Sequence, residues 1–389
     1  MRKVALILLN AGASTRFRST KSPKKQWLRL DEIPLWLKVA KEVSSFYAFS
    51  TCIITASNQE EKKLMEKYIF SYELNFEVVI GGETRQDSLE NALKNIKEEW
   101  VLVSDVARAN IPKEIFLSIL ENKEDFDCIV PFLNIYDTTA LEDETSLSYL
   151  KRENLKIIQT PQLSKTKVLK LAITKGQFTD ESSAILASGG KIGFIEGSKE
   201  SLKITHLKDL EAFNFPPPSQ RAIMGFGSDI HAFQKGEGLL MGGIKIPAPY
   251  EFIAHSDGDV CLHSLSDAIL GGIGAGDIGE WFPDNDPSFK GADSAKLLEK
   301  ILDFALDVGY SIRQVDITIF AQTPKLSPYK SHIEKNIAKL LNIPLFCVNL
   351  KATTTEHLGF VGRKEGILVQ TLVVMEYFNW TKLLKEGLK

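Results

Sequence analysis

Three consecutive prolines, Pro216-Pro217-Pro218, sit just past the middle of this 389-residue chain, inside the segment Phe213–Gln220. Proline carries no amide hydrogen and holds its φ near one value, so a proline run ends any helix and makes a stiff, extended spacer. A single fold cannot run smoothly through such a segment. The length itself favours two or three domains, at roughly 100–200 residues each. The expected organisation is a first domain over 1–212, a proline-rich linker over 213–221 and a second domain over 222–389. Composition changes across the same segment. Residues 1–220 hold 8 of the 26 glycines and one of the 6 histidines, His206; residues 221–389 hold the other 18 glycines and five histidines. No fixed-period repeat is visible, which excludes a solenoid.

The totals then exclude several classes. Hydrophobic residues are 44% and charged residues 25%, ordinary for a globular chain and unlike disordered or fibrous ones. The formal net charge is −3, without the basic excess of a nucleic-acid binder, so no nucleic-acid partner is expected. The longest apolar runs, such as Val4–Leu9 and Ile367–Met375, fall far short of the roughly 20 residues that span a bilayer. Met1-Arg2-Lys3 before an apolar run faintly suggests a signal peptide, but no small-residue cleavage site follows. Cys52, Cys128, Cys261 and Cys347 form no CxxC pair and read as reduced thiols of a cytoplasmic protein.

The first half alternates strands with helices. Val4–Leu9, Thr51–Thr55, Glu77–Ile80, Trp100–Ser104 and Cys128–Pro131 read as strands, while Ser88–Lys97 and Lys113–Leu120 carry apolar residues at helical spacing. This alternation predicts an α/β fold with a mostly parallel sheet and helices on both faces, its functional loops at the carboxyl ends of the strands. The second half mixes helices (Leu262–Leu270, Ala295–Leu306) with strands (Val315–Ala321, Val348–Ala352, Ile367–Tyr377), which predicts an α+β domain.

Three strand ends in the first half carry chemistry. After Leu9 comes a small-residue loop, Asn10-Ala11-Gly12-Ala13-Ser14-Thr15-Arg16, followed by Lys24-Lys25-Gln26. Such a loop exposes backbone amides to phosphate, and Arg16 and Lys25 add cations suited to a polyphosphate; it is neither a P-loop nor GxGxxG. Gly81-Gly82-Glu83-Thr84-Arg85-Gln86-Asp87-Ser88 turns into a helix, and Asp105 with Arg108 closes a buried strand. With Asp137-Thr138, Lys151-Arg152-Glu153-Asn154, Thr160-Pro161-Gln162, Phe178-Thr179-Asp180 and Leu202-Lys203-Ile204-Thr205, this set resembles the 2-C-methyl-D-erythritol 4-phosphate cytidylyltransferases over residues 1–212. The resemblance implies a Rossmann-like nucleotidyltransferase sheet. It implies that Ala11, Gly12, Arg16 and Lys25 hold the CTP phosphates and the transition state, and that Gly82, Asp87 and Ser88 lie around cytosine and ribose. Asp105, Arg108, Thr138, Arg152, Thr160, Thr179 and Lys203 would surround methylerythritol phosphate and Mg²⁺.

In the second half, Asp229 and His231 are two residues apart and share a face of an extended segment. His255-Ser256-Asp257-Gly258-Asp259 leads to His263 at a helix start. Between 229 and 286 lie three histidines and seven aspartates against only Lys235 and Lys245, a density of acids that calls for a metal. Asp229, His231 and His263 make a plausible zinc set with an open fourth position. The threonine run Thr353-Thr354-Thr355-Glu356 at a strand end suits a diphosphate with its Mg²⁺.

The motifs DxH, AHSDGDVxxH, GDIG, FPD, AQTPKL, KATTTE and GFxGRxEG resemble the 2-C-methyl-D-erythritol 2,4-cyclodiphosphate synthases over about 222–380. The resemblance implies Zn²⁺, or another divalent cation, on Asp229, His231 and His263, and Mg²⁺ on Glu356. It places His255 and Ser256 on a substrate phosphate, and Asp277, Gly279, Phe282 and Asp284 against the methylerythritol part. Ala321, Lys325, Leu326, Thr353 and Thr354 would form a CDP pocket shared across a trimer interface, with Phe360 and Arg363 as further contacts. On this resemblance the glycine excess serves loops that approach metal-bound phosphates.

Together the two halves imply one bifunctional enzyme: CMP transfer from CTP to methylerythritol phosphate with release of pyrophosphate, and cyclisation of the CDP-methylerythritol 2-phosphate with release of CMP. The expected partners are these small molecules and further copies of the chain, as a homo-oligomer with a trimeric second domain and a hexameric whole. Two other readings of the first half stay open on the residues alone: another sugar or alcohol phosphate as acceptor, or a non-catalytic scaffold for the second domain.

Overall fold

The protein is described from a computed structural model, over residues 3–18, 21–122, 125–143, 146–283 and 285–386. Its contacts divide it into two compact units, the first made of the chain up to Pro216 together with the segment from Thr381 onward, the second of Pro217–Trp380 together with Lys21–Pro23.

The first unit is built on an eight-stranded sheet. Val4–Leu9 lies at its centre, parallel to Thr51–Ala56 on one side and to Trp100–Asp105 on the other. Glu77–Ile80 extends the parallel set beyond Thr51–Ala56. Beyond Trp100–Asp105 the sheet turns mixed: Gln162–Lys165 is antiparallel to it and to Cys128–Asn134, which also pairs antiparallel with Lys156–Ile158 and parallel with Ile192–Glu196. The antiparallel strands are short and follow turn residues such as Pro161, without the crossover helix that a parallel pair needs. Every residue of Val4–Leu9 is buried. Ala5, Ile7 and Leu9 pack with Leu89, Ala92 and Leu93 of the helix Arg85–Leu93, and with Leu169, Ala172, Ala184 and Ile185 of two later helices. Side chains alternate across a strand, so Val4, Leu6 and Leu8 are buried on the opposite face. The continuous apolar run thus reflects a sheet covered on both sides. An exposed hairpin, Thr139–Glu142 with Leu147–Leu150, projects Leu141, Leu147 and Tyr149 into solvent.

The second unit has a five-stranded sheet in the order Tyr250–Phe252, Ile223–Lys235, Gly366–Tyr377, Tyr310–Phe320 and Val348–Thr353. Only the last pair is parallel. The helices Val260–Ile273, Ser294–Asp307 and Lys330–Leu341 complete it. Along Ile223–Lys235 burial alternates, with Gly225 and Gly227 inside and Met224, Phe226 and Ile230 outside. A Cβ on Gly225 would lie 1.8 Å from the Ala268 carbonyl oxygen, and one on Gly227 would lie 2.1 Å from that of Ser264. Only glycine lets Val260–Ile273 sit this close to the strand.

Candidate active sites

In the first unit the carboxyl ends of the parallel strands open into a cavity of about 510 Å³. The loop after Val4–Leu9 is shaped by polar groups beneath it. The Thr55 hydroxyl accepts from the Asn10 and Ala11 amides at 2.8 and 3.2 Å. Buried Gln26 donates to the Asn10 and Gly12 carbonyls at 2.9 and 2.8 Å and accepts from the Ser14 hydroxyl at 2.9 Å. Ser14 takes a left-handed conformation, φ 58°. With these carbonyls turned onto protein donors, the amide edge of the loop is left for an anion.

Ala11, Gly12, Arg16, Lys25, Gly82, Ser88, Asp105 and Lys203 all line this cavity. The adjacent lysines part company. Lys24 turns away from the cavity and is nearly buried, its ammonium 3.1 Å from the Ser57 hydroxyl and 3.4 Å from buried Glu61, which also accepts from the Trp27 indole. Lys25 lines the cavity and donates to the Ile204 carbonyl at 2.8 Å. Burial, reinforced by the Lys203 charge, brings the Lys25 pKa down to about 8.

Asp105 is buried and bridges two cations: Arg85 Nε donates to Oδ1 at 3.1 Å and Lys203 Nζ to Oδ2 at 2.6 Å. Burial pushes its pKa up, but Arg85 and Lys203 outweigh this and hold the carboxyl well below its usual range. Arg85 also makes a two-pronged pair with fully buried Glu181, at 2.8 and 3.3 Å. Arg85 belongs to the Gly81–Ser88 turn but not to the set of site residues expected from the sequence. Its signal was an arginine two residues before Asp87 in a strand-end turn, and its partners became visible only through tertiary contact.

Other expected residues lie elsewhere. Asp87 closes the capping box of Arg85–Leu93 with Thr84. Arg108 donates to the Ser201 carbonyl at 2.6 Å. Thr160 is buried before a cis proline, and Thr179 is exposed just before the helix cap Asp180. Thr138 and Arg152 flank the exposed hairpin, with Arg152 donating to the Tyr136 carbonyl at 2.6 Å. None of these six lines the cavity.

In the second unit the extended backbone does put Asp229 and His231 on one face, and His263 arrives from the first turn of Val260–Ile273. One ligand atom from each lies within 4.8 Å of the others. Asp229 Oδ2 is 3.3 Å from His263 Nδ1 and 3.5 Å from His231 Nδ1. Burial opposes ionisation of both Asp229 and His263; their mutual contact wins, lowering the first and raising the second. The helix is set by Asp259, fully buried, which accepts from the amides of Gly242, Gly243, Cys261 and Leu262 at 2.6–3.1 Å.

Ser256 Oγ lies 3.1 Å from His263 Nε2, and His255 Nε2 is buried with no hydrogen-bond partner among the described residues. Asp277 caps Ile278–Trp281, next to exposed Gly279; Phe282 is buried against Trp281 and Phe289. Asp284 lies outside the described residues. The threonine run ends the strand Val348–Thr353, where the Ala321 amide donates to the Thr353 carbonyl at 2.9 Å and Thr354 donates to Glu356 at 2.8 Å. Glu356 and His357 both have positive φ, 51° and 60°. Lys325 is exposed and Leu326 buried. Phe360 lies in the short helix Gly359–Gly362, and Arg363 forks onto Glu365 at 2.9 Å. The strand Gly366–Tyr377 separates the Asp229–His231 strand from the Tyr310–Phe320 and Val348–Thr353 pair.

A strand-end anion loop backed by cations, and a carboxylate–imidazole cluster on an α+β sheet, place the chain among two-domain enzymes of phosphoryl chemistry. Residues 4–215 match the 2-C-methyl-D-erythritol 4-phosphate cytidylyltransferase family, and residues 222–376 match the YgbB family. The bifunctional enzyme IspD/IspF of Wolinella succinogenes is 48% identical over 98% of this chain and 98% of its own length. The protein of that name from Aliarcobacter butzleri is 49% identical over 98% of this chain and all of its own. The solved structure of the bifunctional IspDF from Campylobacter jejuni aligns with a TM-score of 0.84 at 46% identity, over 97% of this chain and 100% of that one. The chain belongs to the bifunctional IspD/IspF family: a cytidylyltransferase and a cyclodiphosphate synthase of the methylerythritol phosphate pathway, joined in one polypeptide.

Proposed function

We propose that the cavity of the first unit carries out CMP transfer and that the Asp229–His231–His263 cluster is the centre of the cyclisation. We assign residues 1–212 and 222–389 to the two activities, with 213–221 as their linker. The observation that carries this reading is the convergence of Arg16, Lys25 and Lys203 on one strand-end cavity, with a separate three-ligand cluster in the second unit.

In the first reaction the phosphate oxygen of methylerythritol phosphate attacks the α-phosphorus of CTP, and the bond to pyrophosphate breaks. Both reactants are anions, so the protein's task is alignment and neutralisation. The amide edge of Gly12–Arg16 cradles the triphosphate, and Lys25 and Arg16 offset charge that builds on the α-phosphoryl oxygens. Asp105 keeps Lys203 and Arg85 in place, leaving Lys203 as a cation for the acceptor phosphate. Both Asp105 oxygens are engaged by cations, so these residues form no metal cage; Mg²⁺ there would travel on the nucleotide phosphates.

In the second reaction the 2-phosphate attacks the β-phosphorus, closes the ring and expels CMP. A carboxylate and two imidazoles within 4.8 Å suit Zn²⁺, and Asp229 Oδ2 faces His263 Nδ1 and His231 Nδ1 at 3.3 and 3.5 Å, the donor set a cation between them would take. Glu356 is the proposed Mg²⁺ ligand. Bound there, the cations would polarise the phosphoryl oxygens. His255 and Ser256 orient the attacking phosphate, and Thr353, Thr354 and Ala321 hold the CDP moiety. A trimer brings the nucleotide pocket of one copy to the metal cluster of the next, which fits their separation within the sheet. The exposed apolar face of Met224, Phe226 and Ile230 suits that packing, and the exposed hairpin suits dimerisation through the first unit, giving a hexamer. A cytoplasmic setting, where CTP is present, accords with both reactions.

The test uses His263→Ala. The variant is expected to lose bound zinc and CMP formation while still releasing pyrophosphate from CTP and methylerythritol phosphate. Full CMP formation by the zinc-free variant overturns the metal assignment, and no pyrophosphate release by the folded wild type overturns the first.

A further inference from the structure

Ser294 opens the helix Ser294–Asp307, is 1% exposed, and stands behind the metal cluster of the second unit. Its hydroxyl contacts two groups. On one side it donates to Asp257 Oδ1, while its amide donates to Asp257 Oδ2 at 3.0 Å. On the other side its Oγ lies 2.9 Å from His263 Nε2. A hydroxyl has one hydrogen. An ionised carboxylate is the stronger acceptor, so that hydrogen goes to Asp257. Toward His263 the serine oxygen can then only accept, which requires Nε2 to carry the imidazole hydrogen. In a neutral imidazole the lone pair is then on Nδ1, the atom facing Asp229 at 3.3 Å.

Resting on the zinc reading above, we propose that Ser294, anchored by Asp257, is a positioning residue that locks His263 in the Nε2–H form and aims Nδ1 at the metal. Asp257 thereby supports the ligand set without joining it, through a carboxylate–serine–imidazole chain of the kind that tunes metal ligands from behind. The oxygen of the neighbouring Ser256 accepts from the Gly258 amide at 3.2 Å and lies 3.1 Å from the same His263 Nε2, so it shares the Nε2 hydrogen as a second acceptor.

The experiment measures zinc affinity by competition with a chromophoric chelator, on the full-length chain without substrate. Ser294→Ala is expected to bind zinc about 10–100-fold more weakly than wild type. Wild-type affinity in a folded Ser294→Ala overturns the positioning role. Zinc-soaked crystals of the wild type give a second readout that needs no variant: ligation through His263 Nδ1 with Nε2 on Ser294 supports the proposal, and ligation through Nε2 overturns it. Failure of the wild type to bind zinc at all would instead overturn the metal reading on which this rests.

Discussion

Lys24 and Lys25 are neighbours with the same chemistry and opposite fates. The 3₁₀ turn that begins at Lys25 sends one side chain down to Glu61 and Ser57 and the other toward the cavity. Removing Lys25 should therefore act on catalysis. Lys25→Met is expected to lower kcat for pyrophosphate release about 10²–10³-fold, the usual cost of losing one donor aimed at developing charge. A pH prediction follows from burial. The Lys25 ammonium of the free enzyme, lowered to about 8, is lost as pH rises through that value. Hence kcat/KM for CMP transfer should fall on the alkaline side of about pH 8, and Lys25→Arg should move that limb upward, as measured by steady-state pyrophosphate release. A wild-type profile flat to pH 10 would count against Lys25. The loop, Arg16, Lys25 and Asp105 were readable because phosphate chemistry needs small residues and charged groups at strand ends. Arg85 was not, because its meaning lies in contacts with Asp105 and Glu181, 20 and 96 residues away.

The strand Ile223–Lys235 and the helix Val260–Ile273 make the metal cluster possible through their closeness. The glycine excess was expected in loops near phosphates. Gly225 and Gly227 instead lie within a strand, where they admit the backbone of the helix. The strand carries Asp229 and His231 two and four residues beyond Gly227, while the helix carries His263 one residue before Ser264. Gly227→Ala puts a Cβ 2.1 Å from the Ser264 carbonyl oxygen and must push the two apart. It is expected to cost about 1–3 kcal/mol in urea unfolding and to weaken zinc binding at least about tenfold in the chelator competition. A variant with wild-type zinc affinity would show that the cluster does not depend on this contact. The period-two pairing of Asp229 with His231 was legible in the sequence. The role of the glycines was not, since the same residue serves loops and close packing alike.

For the molecule as a whole, the proposed assembly makes a prediction that separates the two activities. Phe226 is 60% exposed and pairs across strands with Leu372, itself 39% exposed, on the sheet face away from the helices. Phe226→Asp should leave each copy folded, since that side chain is already in solvent. It should lower the solution mass seen by light scattering and abolish CMP formation while pyrophosphate release continues. An unchanged mass with full CMP formation would remove the trimer from the account. Much at this level was decided by sequence alone: proline chemistry divides the chain, strand–helix alternation makes the first half α/β, and local spacing marks phosphate loops and candidate ligands. These are properties of short segments, fixed by backbone geometry and residue type. The tertiary structure decided which cations share the cavity, which lysine turns inward, how a helix backs onto a strand to gather Asp229, His231 and His263, and that Ser294 stands behind the last of these. Those are relations between segments far apart in the chain, set by packing and by the need to pair buried charge, and no local pattern encodes them.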